Sequence, residues 1–128
     1  MQLRKSTPVL IVDAIEPALA FWRDGLQLSV TVEVPHAGAL GFVILGNGHI
    51  EVMYQTAASV VADAPAPMHW NRDRSYLYVE VDDVNEVARA LAGFEIVLPM
   101  RDTFYGATEI GFREPGGHFV TFAQLKSG

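Results

Sequence analysis

The chain has 128 residues, a formal net charge of −6, no cysteine, and hydrophobic residues at 50 % of its positions. That length and composition give one domain with a sizeable core and argue against a disordered chain. Without cysteine there are no disulfides, no thiolate metal sites and no cysteine nucleophile. The nine scattered Lys and Arg residues form no basic cluster, so nucleic acid is not an expected partner.

Residues 7–13 are rich in Val, Ile and Leu and read as a buried strand. A helix is expected to start between Asp13 and Glu16, with Pro17 tolerated in its first turn and Gly25 as its stop. Trp22 falls on its core face. Leu28 to Val34 alternates with Thr and Glu as a half-wet strand, and Pro35-His36-Ala37-Gly38 reads as a turn. Leu40 to Leu45 and His49 to Tyr54 read as a hairpin around Gly46-Asn47-Gly48. The longest apolar run, Ala39 to Leu45, is far too short to cross a bilayer. No secretion signal follows Met1, so a cytoplasmic protein without membrane contact is expected.

Residues 57–73 read as a connection containing Pro65 and Pro67. The order of elements then repeats. Ser75 to Val81 is a strand, and Val84 to Ala92 is a helix capped by Asp82 or Asp83. Glu95 to Leu98, Thr108 to Arg113 and His118 to Gln124 are strands, the last after the turn Glu114-Pro115-Gly116-Gly117. Even the closing strands echo one another: Gly48-His49-Ile50-Glu51-Val52-Met53 recurs loosely as Gly117-His118-Phe119-Val120-Thr121-Phe122. The expected class is therefore α+β, a single domain of two tandem βαβββ modules. Module one covers about 7–56 and module two about 74–125, and together they form a curved mixed sheet with a cleft.

Strand alternation sorts the side chains into two sets. Leu10, Val12, Ile50, Val52, Leu77, Val79, Val81, Val120 and Phe122 form an apolar face suited to lie under helices. Leu77→Asp is accordingly expected to unfold the protein. The other face takes Thr7, Val9, Ile11, His49, Glu51 and Met53 from the first half. From the second it takes Tyr76, Tyr78, Glu80, Phe119 and Thr121. Shifting the register by one residue would bury Glu51 and Glu80. Trp70, before the second half, and Phe104 with Tyr105, on a later loop, are placed to rim a cleft. The tyrosines either stack on a planar ligand or serve as half-buried strand aromatics. Glu51, unpaired in an apolar cleft, would have a raised pKa and act as a base or hold a cation. Its bland alternative is an ancestral relic salt-bridged to an arginine or bonded to Tyr76. His49 reads as a hairpin-end residue and His118 as a turn-end one.

Thr7-Pro8-Val9-Leu10, the run Ala18 to Leu26 around Phe21-Trp22, and the run Tyr105 to His118 resemble the vicinal oxygen chelate superfamily. That family holds glyoxalase I, extradiol dioxygenases, fosfomycin-resistance enzymes and bleomycin-resistance binding proteins, and the pattern is most similar to the last. The resemblance implies one divalent metal held by two ligands from each half in the family's enzymes. Those positions here are Thr7, Glu51, Tyr76 and Thr121, of which only Glu51 is a good ligand. No metal and no other cofactor is therefore expected. The resemblance implies a metal-independent homodimeric protein that sequesters an aromatic or cationic compound in a dimer cleft, rather than an enzyme. The acidic charge of the chain attracts cationic small molecules at long range, and its bland alternative is that modest acidity simply aids solubility. The alternative is a glyoxalase-like lyase, isomerase or dioxygenase in which Glu51 is the sole catalytic candidate. The identity of the ligand is not written in the chain, because fold does not carry function.

Overall fold

The protein is seen in a computed structural model that describes residues 1–2, 4–63 and 74–126. Strand β1 (Val9–Val12) leads into helix α1 (Glu16–Leu19), with Pro17 in its first turn. The helix continues as a π-helical turn over Ala20–Gly25. Strands β2 (Ser29–His36), β3 (Ala39–Gly46) and β4 (Glu51–Thr56) complete the first unit. Helix α2 (Ala57–Asp63) follows. The second unit is β5 (Tyr76–Glu80), α3 (Val84–Ala90), β6 (Glu95–Asp102), β7 (Ala107–Arg113) and β8 (Phe119–Leu125). The strands form two four-stranded mixed sheets, ordered β1-β4-β3-β2 and β5-β8-β7-β6. In each, the first and last strands of the unit pair in parallel and the other pairs are antiparallel. One continuous sheet was expected. Among the described residues no ladder joins β1 to β5, and the two sheets meet through side chains.

Local chemistry accounts for most boundaries. Asp83 caps α3 with its carboxylate, accepting from the amides of Asn85 and Glu86. The fourth strand starts later than the expected His49, because Asn47 Oδ1 accepts from the amides of His49 and Ile50 and holds both outside the ladder. The first helix does not end on a left-handed Gly25. The residue with positive φ is Gln27, at 64°. Gly25 is bare for a packing reason: a Cβ there would sit 2.8 Å from Leu91 Cδ2, at the end of α3.

The two units share one hydrophobic core. It includes Leu10, Val12, Val52, Val120 and Phe122, with Ile50, Leu77, Val79 and Val81 half-buried against it. Ile11 departs from the expected alternation and is only 7 % exposed. The first unit's helical segment seals the junction. The Phe21 ring lies 6.3 Å from both Phe112 and Phe122 of the second sheet, and 5.2 Å from Phe94.

A buried polar chain crosses the same junction. Trp22 Nε1 donates to the Tyr54 hydroxyl at 2.9 Å, and that hydroxyl donates to Glu114 at 2.6 Å. The other Glu114 oxygen accepts from the His118 amide. The His118 ring is equally committed. Its Nδ1 accepts from the Ser75 amide, which fixes the proton on Nε2, 3.1 Å from the Ile11 carbonyl. His118 thus clasps the end of β1 rather than merely ending a turn. Gly116 makes room for this, since a Cβ there would meet Val12 at 2.5 Å and the Glu114 carboxylate at 3.0 Å.

Candidate functional site

Two cavities open between the units. The larger, about 980 Å³, brings together Lys5, His49 and Glu51 from the first unit with Tyr78 and Glu80 from β5. The smaller, about 560 Å³, has Trp22, Leu28 and Val79 in its wall and the carboxylates of Glu80, Asp82, Asp83 and Glu86 around it. Four expected site residues, His49, Glu51, Tyr78 and Glu80, therefore border one space. His49 sits exposed at the hairpin end, before β4 begins. Thr7 reaches the site through Glu51. Met53 is half-buried on β4, with its amide bonded to Pro8. Phe104 is 100 % exposed at the tip of the β6–β7 hairpin, against the edge of the Tyr105 ring. Trp70 lies outside the described residues.

Glu51 differs from its expected state. Its carboxylate accepts from Thr7 Oγ1 at 2.8 Å, and the Lys5 ammonium lies 3.1 Å away. The Thr7 hydroxyl and then the Lys5 ammonium hold its carboxyl below the usual range rather than above it. The sequence reading missed Lys5 because it precedes the first strand and shares no periodicity with β4.

These groups do not fit a family-type metal ion. Thr7 and Lys5 already occupy the Glu51 oxygens, and Lys5 places a competing cation at the centre. Tyr76 is 79 % exposed and stacks on Phe119, with ring centroids 5.1 Å apart. Thr121 offers only a hydroxyl, a weak donor to such ions. Among the described residues no group of three His, Asp or Glu side chains is placed to hold a metal.

The second sheet carries a further polar cluster around Glu109. Glu109 on β7 is 1 % exposed, yet lies on the same sheet face as Tyr78. It accepts from the Tyr78 hydroxyl at 2.6 Å, from the Tyr105 hydroxyl, and from Arg101 at 3.3 Å. Burial pushes its carboxyl up, but the two phenols and the guanidinium outweigh burial and the net shift is downward. The strand residues expected to line the site came only from the first and last strands of each module, which passes over β7. A charged residue alternating with Ile110 and Phe112 was the available signal.

The same bonds raise the phenols. The Glu109 hydrogen bond lifts Tyr78 and Tyr105, and burial beside Glu114 lifts Tyr54 further. A phenol whose folded pKa is raised adds stability that is complete below the unfolded value, about 10, and is lost as pH climbs through the folded one. In an alkaline titration, these three tyrosines should form tyrosinate only above the free-phenol range. Tyr54, the buried one of the three, should do so together with loss of structure. Ionisation of Tyr54, Tyr78 and Tyr105 within the free-phenol range, with circular dichroism unchanged, would rule the network out.

No helix among the described residues is long and apolar enough to cross a membrane. The family model of the Glyoxalase/Bleomycin resistance protein/Dioxygenase superfamily matches residues 6–122. No curated protein matches the sequence. Among solved structures, TioX from Micromonospora sp. ML1 has a TM-score of 0.79 at 20 % identity, over 96 % of this chain and 99 % of that one. Lactoylglutathione lyase from Agrobacterium tumefaciens has a TM-score of 0.75 at 22 % identity, over 97 % and 95 %. The bleomycin-binding protein from bleomycin-producing Streptomyces verticillus, complexed with copper(II)-bleomycin, has a TM-score of 0.67 at 18 % identity, over 99 % of each chain. Likeness at such identities is likeness of fold, and it extends alike to an enzyme and to a binding protein.

Proposed function

The chain belongs to the Glyoxalase/Bleomycin resistance protein/Dioxygenase superfamily, and from that premise we propose that it is a metal-independent binding protein for a small aromatic or cationic molecule, working as a homodimer in the cytoplasm. The observation that carries this reading is the wall of the larger cavity, where Tyr78 and Glu80 stand side by side on β5. Tyr78 offers a ring whose hydroxyl is anchored on Glu109, so little rotamer freedom is lost when a ligand stacks on it. Glu80 supplies a carboxylate for a cationic group. A concave site with a few fixed polar groups is the usual form of a small-molecule pocket.

The homodimer is supported by exposed apolar side chains on the outer strands of both sheets. They are Val32 and Val34 on β2, and Ile96, Val97 and Met100 on β6. Apolar side chains concentrated this way suit a protein–protein contact. The enzymatic alternative rests on Glu51, and its geometry speaks against it. A carboxylate kept ionised by a hydroxyl and an ammonium is a poor proton acceptor at neutral pH.

Calorimetry on chelator-treated protein tests the reading. Zn²⁺, Ni²⁺, Mn²⁺ and Fe²⁺ are expected to show no stoichiometric binding tighter than about micromolar. Naphthalene probes bearing an ammonium, an amide or a carboxylate are expected to include a binder whose affinity chelation leaves unchanged. Tyr78→Ala should weaken that binder about tenfold, the equivalent of a contact of about 1.4 kcal/mol. Tight metal binding abolished by Glu51→Ala would instead bring the enzyme reading forward.

A further inference from the structure

We propose that the Tyr76 end of the second sheet is a subsite for an aromatic ring bearing a carboxylate, with Arg74 and Arg113 as its anion clamp. The proposal rests on the aromatic-binding reading above and narrows its ligand class. Strand register places Tyr76, Phe119, Arg113 and Glu95 in one row across β5, β8, β7 and β6. Side chains in such a row share a face. Tyr76 stacks on Phe119 at an interplanar angle of 29°. The Arg113 guanidinium lies 4.9 Å from the centroid of the Phe119 ring, and Arg74 lies 5.4 Å from the same centroid.

Two guanidinia thus converge on one aromatic ring. Each is attracted by the ring, but they repel one another, and an anion between them relieves that repulsion. Among the described residues Glu95 pairs with Arg113 alone, through Nε at 3.3 Å, and its own side chain is 60 % exposed. That contact uses one of the five N–H donors of the guanidinium. An exposed ion pair of this kind is weak and readily exchanged for a better-placed carboxylate. The outer face of the Tyr76 ring is the natural seat for the ligand's aromatic part.

Sign decides the class. A cationic ligand at this end of β5 meets two positive charges, whereas a planar carboxylate matches the fork of an arginine. The net charge of −6 opposes an anion only at long range. Screening over about 8–10 Å leaves the local pair in control at contact. The opposite end of β5 is acidic at Glu80, so the strand face is polarised along its length.

The experiment compares naphthoate, naphthamide and naphthylmethylammonium binding to the full chain by calorimetry after chelation. Naphthoate is expected to bind at least about tenfold tighter than the isosteric amide, as a charge-assisted contact should. The Arg74→Gln, Arg113→Gln double variant is expected to lose the preference and bind both equally. Arg74 is exposed and the Arg113 side chain is 33 % exposed, and an unchanged melting curve verifies that the fold survives. The amide or the ammonium matching naphthoate would overturn the proposal. So would a carboxylate preference that survives the double substitution. Binding without carboxylate preference removes the clamp alone, whereas failure of all three probes to bind removes the binder reading with it.

Discussion

Glu114→Ala is expected to cost about 2–6 kcal/mol of folding stability, because two buried donors lose their acceptor at about 1–3 kcal/mol each. Those donors are the Tyr54 hydroxyl and the His118 amide, both within 2.6 Å of the carboxylate. Neither has water in reach, since Tyr54, His118 and Glu114 are all buried. A domain of this size holds only about 5–15 kcal/mol in total, so the loss brings it close to unfolding. The effect is concentrated at the module junction. Tyr54 belongs to β4 and Glu114 to the turn after β7, and Trp22 is tied in through the same hydroxyl. Glu114→Gln keeps the shape and one acceptor oxygen, and should cost about half as much or less. Urea unfolding midpoints for the two variants test this. Equal midpoints for Glu114→Ala and the parent protein would show that the chain Trp22–Tyr54–Glu114 contributes nothing.

Val120→Asp is expected to abolish cooperative folding. Val120 is fully buried in β8, paired with Leu77 on one side and Phe112 on the other. A carboxylate there has neither a partner nor a path to solvent, and an uncompensated buried charge costs at least about 3–5 kcal/mol. Leu77→Asp, expected from alternation alone to unfold the protein, should be milder. Leu77 is half-buried and borders the larger cavity, so a carboxylate there can turn toward solvent. Thermal melts followed by circular dichroism should show a flat trace for Val120→Asp and a lowered but sigmoidal transition for Leu77→Asp. A cooperative Val120→Asp melt at the parent temperature would mean that the two faces of the second sheet are exchanged.

What the sequence determined by itself was whatever depends on near neighbours along the chain. Period-two alternation put Leu10, Val12, Val52, Val120 and Phe122 in the core and left Tyr76, Tyr78 and Glu80 on the open face. A cap at Asp82 or Asp83 was legible, since a carboxylate reaches amides two and three residues ahead, and the structure takes Asp83. Comparing the two halves of the chain exposed the repeat of βαβββ, and the resemblance to the superfamily's enzymes supplied the four ligand positions at which only Glu51 is a good ligand. Partnership across the fold was decided only by tertiary structure. Lys5 meets Glu51 across 46 residues, Tyr78 meets Glu109 across 31, and His118 meets Ile11 across 107. Such pairs carry no period, because they arise from how sheets and helices pack after they form. The charge state of Glu51 depends on them, as do the buried anchor behind Tyr78 and the seam that holds two separate sheets around one core.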